Sequence, residues 1–127
     1  MATILLVEDD GNQRLLYEQE LGEEGYTVRS AASGPEALAM LEGGERPDVV
    51  VLDIYMPGMD GIEALGKILG TDNSIPVILN TAYATYKDNF MTWAADAYVI
   101  KSSDLAELKA KIKEILAAGG KVTEDRA

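Results

Sequence analysis

Val49-Val50-Val51-Leu52 is a run of four apolar residues, three of them β-branched, and the residue that follows it is Asp53. The run lacks the apolar/polar alternation of a half-exposed strand and is too short for a buried helix, so it reads as a strand covered on both faces. Pro47-Asp48 bounds it on one side. On the other, Met56-Pro57-Gly58-Met59 turns the chain, and Asp60-Gly61-Ile62-Glu63 offers an N-cap side chain with an acid three positions later to start a helix. A carboxylate delivered to the mouth of a buried sheet is a candidate working group.

The same pattern recurs along the chain. Thr3-Ile4-Leu5-Leu6-Val7 runs into Glu8-Asp9-Asp10, Ile75-Pro76-Val77-Ile78-Leu79 ends at Asn80-Thr81, and Ala97-Tyr98-Val99-Ile100 ends at Lys101. Gly25 to Ser30 alternates and suits a strand near an edge. Between these runs lie helical patterns. One covers 11–24 with a thin apolar stripe, and one starts at the capping box Ser33-Gly34-Pro35-Glu36 and stops at Gly43-Gly44, both expected to be left-handed. Others cover 61–69, 85–95 with Tyr86, Phe90 and Trp93 on a stripe, and 104–117. Five strands alternating with five helices imply βαβ units and a single α/β domain whose open parallel sheet is covered on both faces.

In such sheets ligands bind outside the carboxyl ends of the strands. Glu8 and Asp9, Asp53, Thr81 and Lys101 stand at four of the five strand ends and can share one cleft. Two like charges about 4 Å apart repel by roughly 4 kcal/mol at an effective dielectric near 20, so three carboxylates need a cation or a proton. The chain has neither His nor Cys. Hard oxygen ligands then suit Mg²⁺, with Mn²⁺ able to take its place, and Mg²⁺ shares its shell with phosphate oxygens. The formal charge of −11 argues against a nucleic-acid surface. The absence of cysteine, of an export signal and of a long apolar run fits a cytoplasmic protein with no membrane contact.

The segments Ile4 to Asp10, Val51 to Gly61, Thr81-Ala82 and Tyr98 to Lys101, in that order, resemble the receiver domain of bacterial two-component response regulators over residues 3–117. The resemblance implies a flavodoxin-like (βα)5 fold, a sheet of order 2-1-3-4-5 and a phosphorylation switch. Asp53 would be the phosphoacceptor, receiving the group from a sensor histidine kinase or phosphotransfer protein. Asp9 and Asp53 would bind Mg²⁺ directly, Glu8 through water, and the backbone carbonyl of Tyr55 would complete the protein ligands. Lys101 would pair with phosphoryl oxygens, Thr81 would swing inward to bond one of them, and Tyr98 would follow into the vacated space. The chain would catalyse only its own phosphorylation and dephosphorylation and present a switched surface to a downstream protein, or to a second copy through the face from Thr85 to Ala117.

Plainer readings stand beside these. Asp53 could cap a helix, Lys101 could be a surface lysine, Thr81 could satisfy a nearby backbone group, and the aromatic stripe could be core. Ser102 stands where the family usually has proline, leaving open whether the Lys101–Ser102 peptide is cis or trans. Tyr55 and Tyr83 are bulky at the cleft rim and would slow loss of the phosphoryl group. Residues 118–127 read as a tail or truncated linker, which fits either a stand-alone regulator or part of a longer protein. Alternative functions are a Mg²⁺-dependent phosphatase acting through an aspartyl-phosphate and a receiver-like module that is never phosphorylated.

Overall fold

The computed structural model describes residues 2–53, 61–72, 74–82, 95–101 and 105–119, with backbone alone at Gly61 and Ile62. Strands β1 (Thr3–Val7), β2 (Thr27–Ala31), β3 (Val49–Leu52), β4 (Val77–Thr81) and β5 (Ala97–Ile100) form one parallel sheet of order β2-β1-β3-β4-β5. Helices α1 (Gly11–Glu23), α2 (Gly34–Glu42), α3 (Gly61–Thr71) and α4 (Ala106–Ala117) accompany it. Nearly all of the helix expected over 85–95 lies outside the described residues. So do Tyr55, Asp60, Tyr83, Ser102, Asp104 and residues 120–127.

The unbroken apolar runs are explained by what the two faces of the sheet meet. Leu5, Val7, Val50, Leu52, Val77 and Leu79 pack with Ala37, Leu41, Leu65 and Ile68 of α2 and α3. Their alternates Ile4, Leu6, Val49, Val51, Ile78 and Val99 pack with Tyr17 and Leu21 of α1 and Leu108, Ile112 and Ile115 of α4. Successive side chains of a strand point to opposite faces, so a strand with helices on both sides has no place for a polar alternate. Every residue of β3 is buried, at about 1.5–3 kcal/mol of stabilisation per large apolar side chain.

Two strands begin two residues later than the stretches expected for them. Gly25, at φ +99°, turns the chain out of α1, and Tyr26 N–H returns to Leu21 O at 3.3 Å, so β2 begins at Thr27. Pro76 has no N–H to give, and β4 begins after it and extends through the polar Asn80 and Thr81. At the end of α2 the left-handed position is Gly44 alone, at φ +100°; Gly43 is at φ −77°. Ser33 caps α2 as expected, accepting from Glu36 N–H at 3.2 Å, but the Glu36 carboxylate reaches Ala32 N–H rather than that of the cap itself.

Helix α1 is held differently from the others. Only Tyr17 and Leu21 of it are buried, and Leu15 is 63% exposed. Polar contacts tie it down: Arg14 to the Glu8 carbonyl at 2.9 Å, Glu18 to Ser30 Oγ, and Glu20 to Lys109 at 2.8 Å.

Candidate functional site

The register of the sheet brings the predicted groups together. Val7 pairs with Leu52 across β1 and β3, so the next residues, Glu8 and Asp53, emerge side by side where the chain reverses its order of laying strands. Asp53 N–H continues the ladder to Val7 O at 3.2 Å, and Glu8 N–H bonds Ala31 O at 3.1 Å. On the far side Thr81 pairs with Ile100, and Lys101 N–H reaches Thr81 O at 2.7 Å.

Side-chain alternation aims three of these groups at one place. Leu6, Val51 and Val99 face α1 and α4; two residues on, Glu8, Asp53 and Lys101 fall on that same side. There the Lys101 ammonium donates to Glu8 Oε1 at 2.6 Å, Gln13 Oε1 at 2.8 Å and Asp53 Oδ2 at 2.9 Å. Glu8 is 2% exposed and Asp53 6%, while Asp9 is exposed above them. Asp10 is not part of the cluster; its carboxylate caps α1, accepting from Asn12 and Gln13 N–H at 2.9 and 3.2 Å.

Electrostatics follow from burial. Removal from water pushes the Glu8 carboxyl above its ordinary range, and the Lys101 contact opposes this without cancelling it. For Lys101 burial alone would lower the ammonium, but its bonds to Glu8 and Asp53 outweigh that and the net direction is up. One carboxylate oxygen from each of Glu8, Asp9 and Asp53 lies within 4.8 Å of the others. Three acids against one ammonium leave a negative excess, and an all-oxygen donor set without nitrogen or sulfur is what Mg²⁺ takes. The residues present therefore fit that ion. The cleft over them, about 200 Å³, is lined by Glu8, Asp9, Asp10, Gln13, Asp53, Ala82 and Lys101.

Thr81 is fully buried at the adjacent strand end. Tyr98 is half-buried and packs against the core on the α2 and α3 side. Tyr55 lies outside the described residues, as does the Lys101–Ser102 peptide. Two features were missed in the sequence. Gln13 lies inside the helix expected over 11–24 and has no strand-end signature, although its place three residues after the capping Asp10 signals the start of a helix beside the cleft. Asn80, a polar residue inside β4, donates to Tyr17 Oη at 3.2 Å on the α1 side.

A family model described as the response regulator receiver domain matches residues 4–113. Response regulator protein TrrA of Thermotoga maritima, solved in complex with Mg(2+)-BeF, superposes with a TM-score of 0.86 at 45% identity, covering 90% of this chain and 98% of that one. A CheY-like receiver domain protein of Methanospirillum hungatei gives a TM-score of 0.86 at 34% identity, covering 93% and 95%. TrrA in complex with histidine kinase ThkA gives 0.83 at 44%, covering 90% and 97%. The transcriptional regulatory protein AfsQ1 of Streptomyces coelicolor is 38% identical over 100% of this chain and 56% of its own length. Response regulator MprA of Mycobacterium tuberculosis is 36% identical over 89% and 50%. The chain thus spans about half the length of the curated relatives it matches. No helix among the described residues is long and apolar enough to cross a membrane.

Proposed function

The chain belongs to the response regulator receiver family, and from that premise we propose that Asp53 accepts a phosphoryl group from the phosphohistidine of a partner kinase or phosphotransfer protein. The observation that carries the reading is the Lys101 ammonium held between Asp53 and Glu8, within a trio of carboxylates that fits Mg²⁺. The complex of TrrA with ThkA and that of TrrA with Mg(2+)-BeF support it by similarity.

An Asp53 carboxylate oxygen attacks phosphorus as the P–N bond to the donor histidine breaks, and the imidazole departs with the bonding pair and takes up a proton. This is carboxylate nucleophilic catalysis in which the protein chiefly positions and neutralises. Bound Mg²⁺ would offset charge on the phosphoryl oxygens and align them, held by Asp9 and Asp53 directly and Glu8 through water. Lys101 turns its ammonium to a phosphoryl oxygen, and Thr81 donates its hydroxyl to another. The phosphoryl group carries close to two negative charges where the Asp53 carboxylate carried one, which favours whichever surface arrangement best satisfies them. That surface would engage a downstream protein or a second copy through residues 85–117, with Tyr98 following Thr81. In this reading the protein works in the cytoplasm and turns over no substrate other than its own phosphoryl group.

Incubation with Mg²⁺ and acetyl phosphate, followed by intact-mass measurement, tests the reading. A gain of one phosphoryl group, lost in Asp53→Asn and absent with chelator, is expected. No gain in the unaltered protein overturns it.

A further inference from the structure

An ammonium has three N–H donors, and Lys101 has three acceptors: Glu8 Oε1, Asp53 Oδ2 and Gln13 Oε1. Two belong to the carboxylate cluster, whereas the third is a neutral amide carried by α1. That difference matters when a cation enters the cluster. A carboxylate shared between a cation and an ammonium brings two positive charges together, so loading the site weakens the hold of Glu8 and Asp53 on Lys101. The Gln13 carbonyl lies outside the cluster and loses nothing.

Its mounting is specific. A Gln at the third helical position after an Asp cap normally reaches back to the backbone N–H of the cap. Here Asp10 N–H is already bound by Glu8 Oε2 at 3.2 Å. The Gln13 backbone is fixed by the Asp10 carboxylate, and the next residue, Arg14, ties the same turn to the Glu8 carbonyl. The amide is therefore not used at the cap, and the turn that carries it is tied to Glu8 at the end of β1.

We propose that Gln13 is a positioning residue, whose carbonyl retains the Lys101 ammonium beside Asp53 while a divalent cation, and then the phosphoryl group, draw on the carboxylates. The cation half of the inference stands on the cluster alone, and the phosphoryl half rests on the reading of Asp53 given above. The bond counts for more in the loaded site, where the other two acceptors are shared, so removing it disfavours loading rather than folding.

Gln13→Met keeps the length of the side chain and removes the strong acceptor; Gln13→Glu makes the acceptor charged. Mg²⁺ affinity is measured by calorimetry on chelator-treated protein, and phosphorylation by acetyl phosphate at saturating Mg²⁺. Gln13→Met should weaken Mg²⁺ binding by about threefold to tenfold, because the bond is made without the cation and only its strengthening on loading counts, and slow phosphorylation. Gln13→Glu should bind Mg²⁺ more tightly through its added charge, yet be phosphorylated more slowly because that charge repels the anionic phosphodonor. Opposite signs in one variant are not what a packing role produces. Mg²⁺ affinity within about twofold of wild type in Gln13→Met overturns the proposal, as does a Gln13→Glu variant in which both quantities move together. If wild type binds Mg²⁺ but gains no phosphoryl group, the Asp53 reading fails, and the Mg²⁺ titrations alone decide the role of Gln13.

Discussion

Lys101 and Glu8 meet at 2.6 Å although β3 and β4 lie between the strands that carry them. Strands are spaced about 4.8 Å apart, so the two backbones are separated by three intervals, or about 14 Å, and the contact closes over the carboxyl edge of the sheet. Asp53 lies under the arch and shares the same ammonium. The pair therefore links β1, β3 and β5 through one cation.

Replacing that cation should be costly when no metal is present. Lys101→Met keeps the apolar stem but leaves Glu8 and Asp53 buried without their shared partner. Breaking a buried pair from one side typically costs about 3–5 kcal/mol. Urea unfolding with chelator should show a loss of that order, and Mg²⁺ should restore part of it. A loss below about 1 kcal/mol with chelator, the scale of an exposed pair, would show that the arch carries little stability.

Asp9 should behave in the opposite way. It is exposed, yet one of its oxygens lies within 4.8 Å of oxygens from both buried acids. Asp9→Asn relieves repulsion of about 1 kcal/mol per neighbour at a water-like dielectric, so metal-free protein should be no less stable and Mg²⁺ affinity should fall. At about 100 times its dissociation constant a ligand stabilises by about 2.7 kcal/mol, and this increment should be much reduced in the variant at the same Mg²⁺ concentration. Melting curves with and without Mg²⁺ separate the two effects.

The parts of the site that repeat with the strand were legible in the sequence. Glu8, Asp53 and Lys101 each follow an apolar run directly and Thr81 follows one after Asn80, and a parallel sheet brings the ends of such runs to one edge whatever the details of the helices. Gln13 and Tyr17 could not be read that way. They lie one turn apart on a helix with little apolar periodicity, and which side of α1 faces the cleft is set by polar contacts with Glu8, Ser30 and Lys109. The offset of β2 and β4 has a different origin, because a left-handed Gly25 and the missing N–H of Pro76 move the pairing without changing the apolar pattern. Tertiary hydrogen bonds decided which side of α1 faces the cleft, and the backbone chemistry of single residues, Gly25 and Pro76, decided where β2 and β4 begin.

The Asn80–Tyr17 contact is a buried polar pair whose removal should be asymmetric. Tyr17→Phe deletes the hydroxyl but leaves the Asn80 amide buried with one partner fewer, at a cost of about 1–3 kcal/mol. Asn80→Val with Tyr17→Phe removes both polar groups and should cost less than the sum of the single changes. Additive losses in a double-mutant cycle would mean that the two side chains do not depend on each other.

Alkaline stability should report the same neighbourhood. Burial raises the Tyr17 phenol above its ordinary value of 10.0, with the Asn80 bond opposing. The Lys101 ammonium lies above 10.5 because its carboxylate partners outweigh burial. A group whose value is raised on folding contributes stability in full below its unfolded value and loses it as pH rises through the folded one. Stability from both groups should therefore be intact near neutrality and decline above about pH 10. Urea midpoints at about pH 9 and about pH 11 should show a fall for wild type. The fall should be smaller in Tyr17→Phe, where one of the two titrations is gone, and smaller again when Lys101→Met is added. An equal fall in all three proteins would place the alkaline transition elsewhere in the molecule.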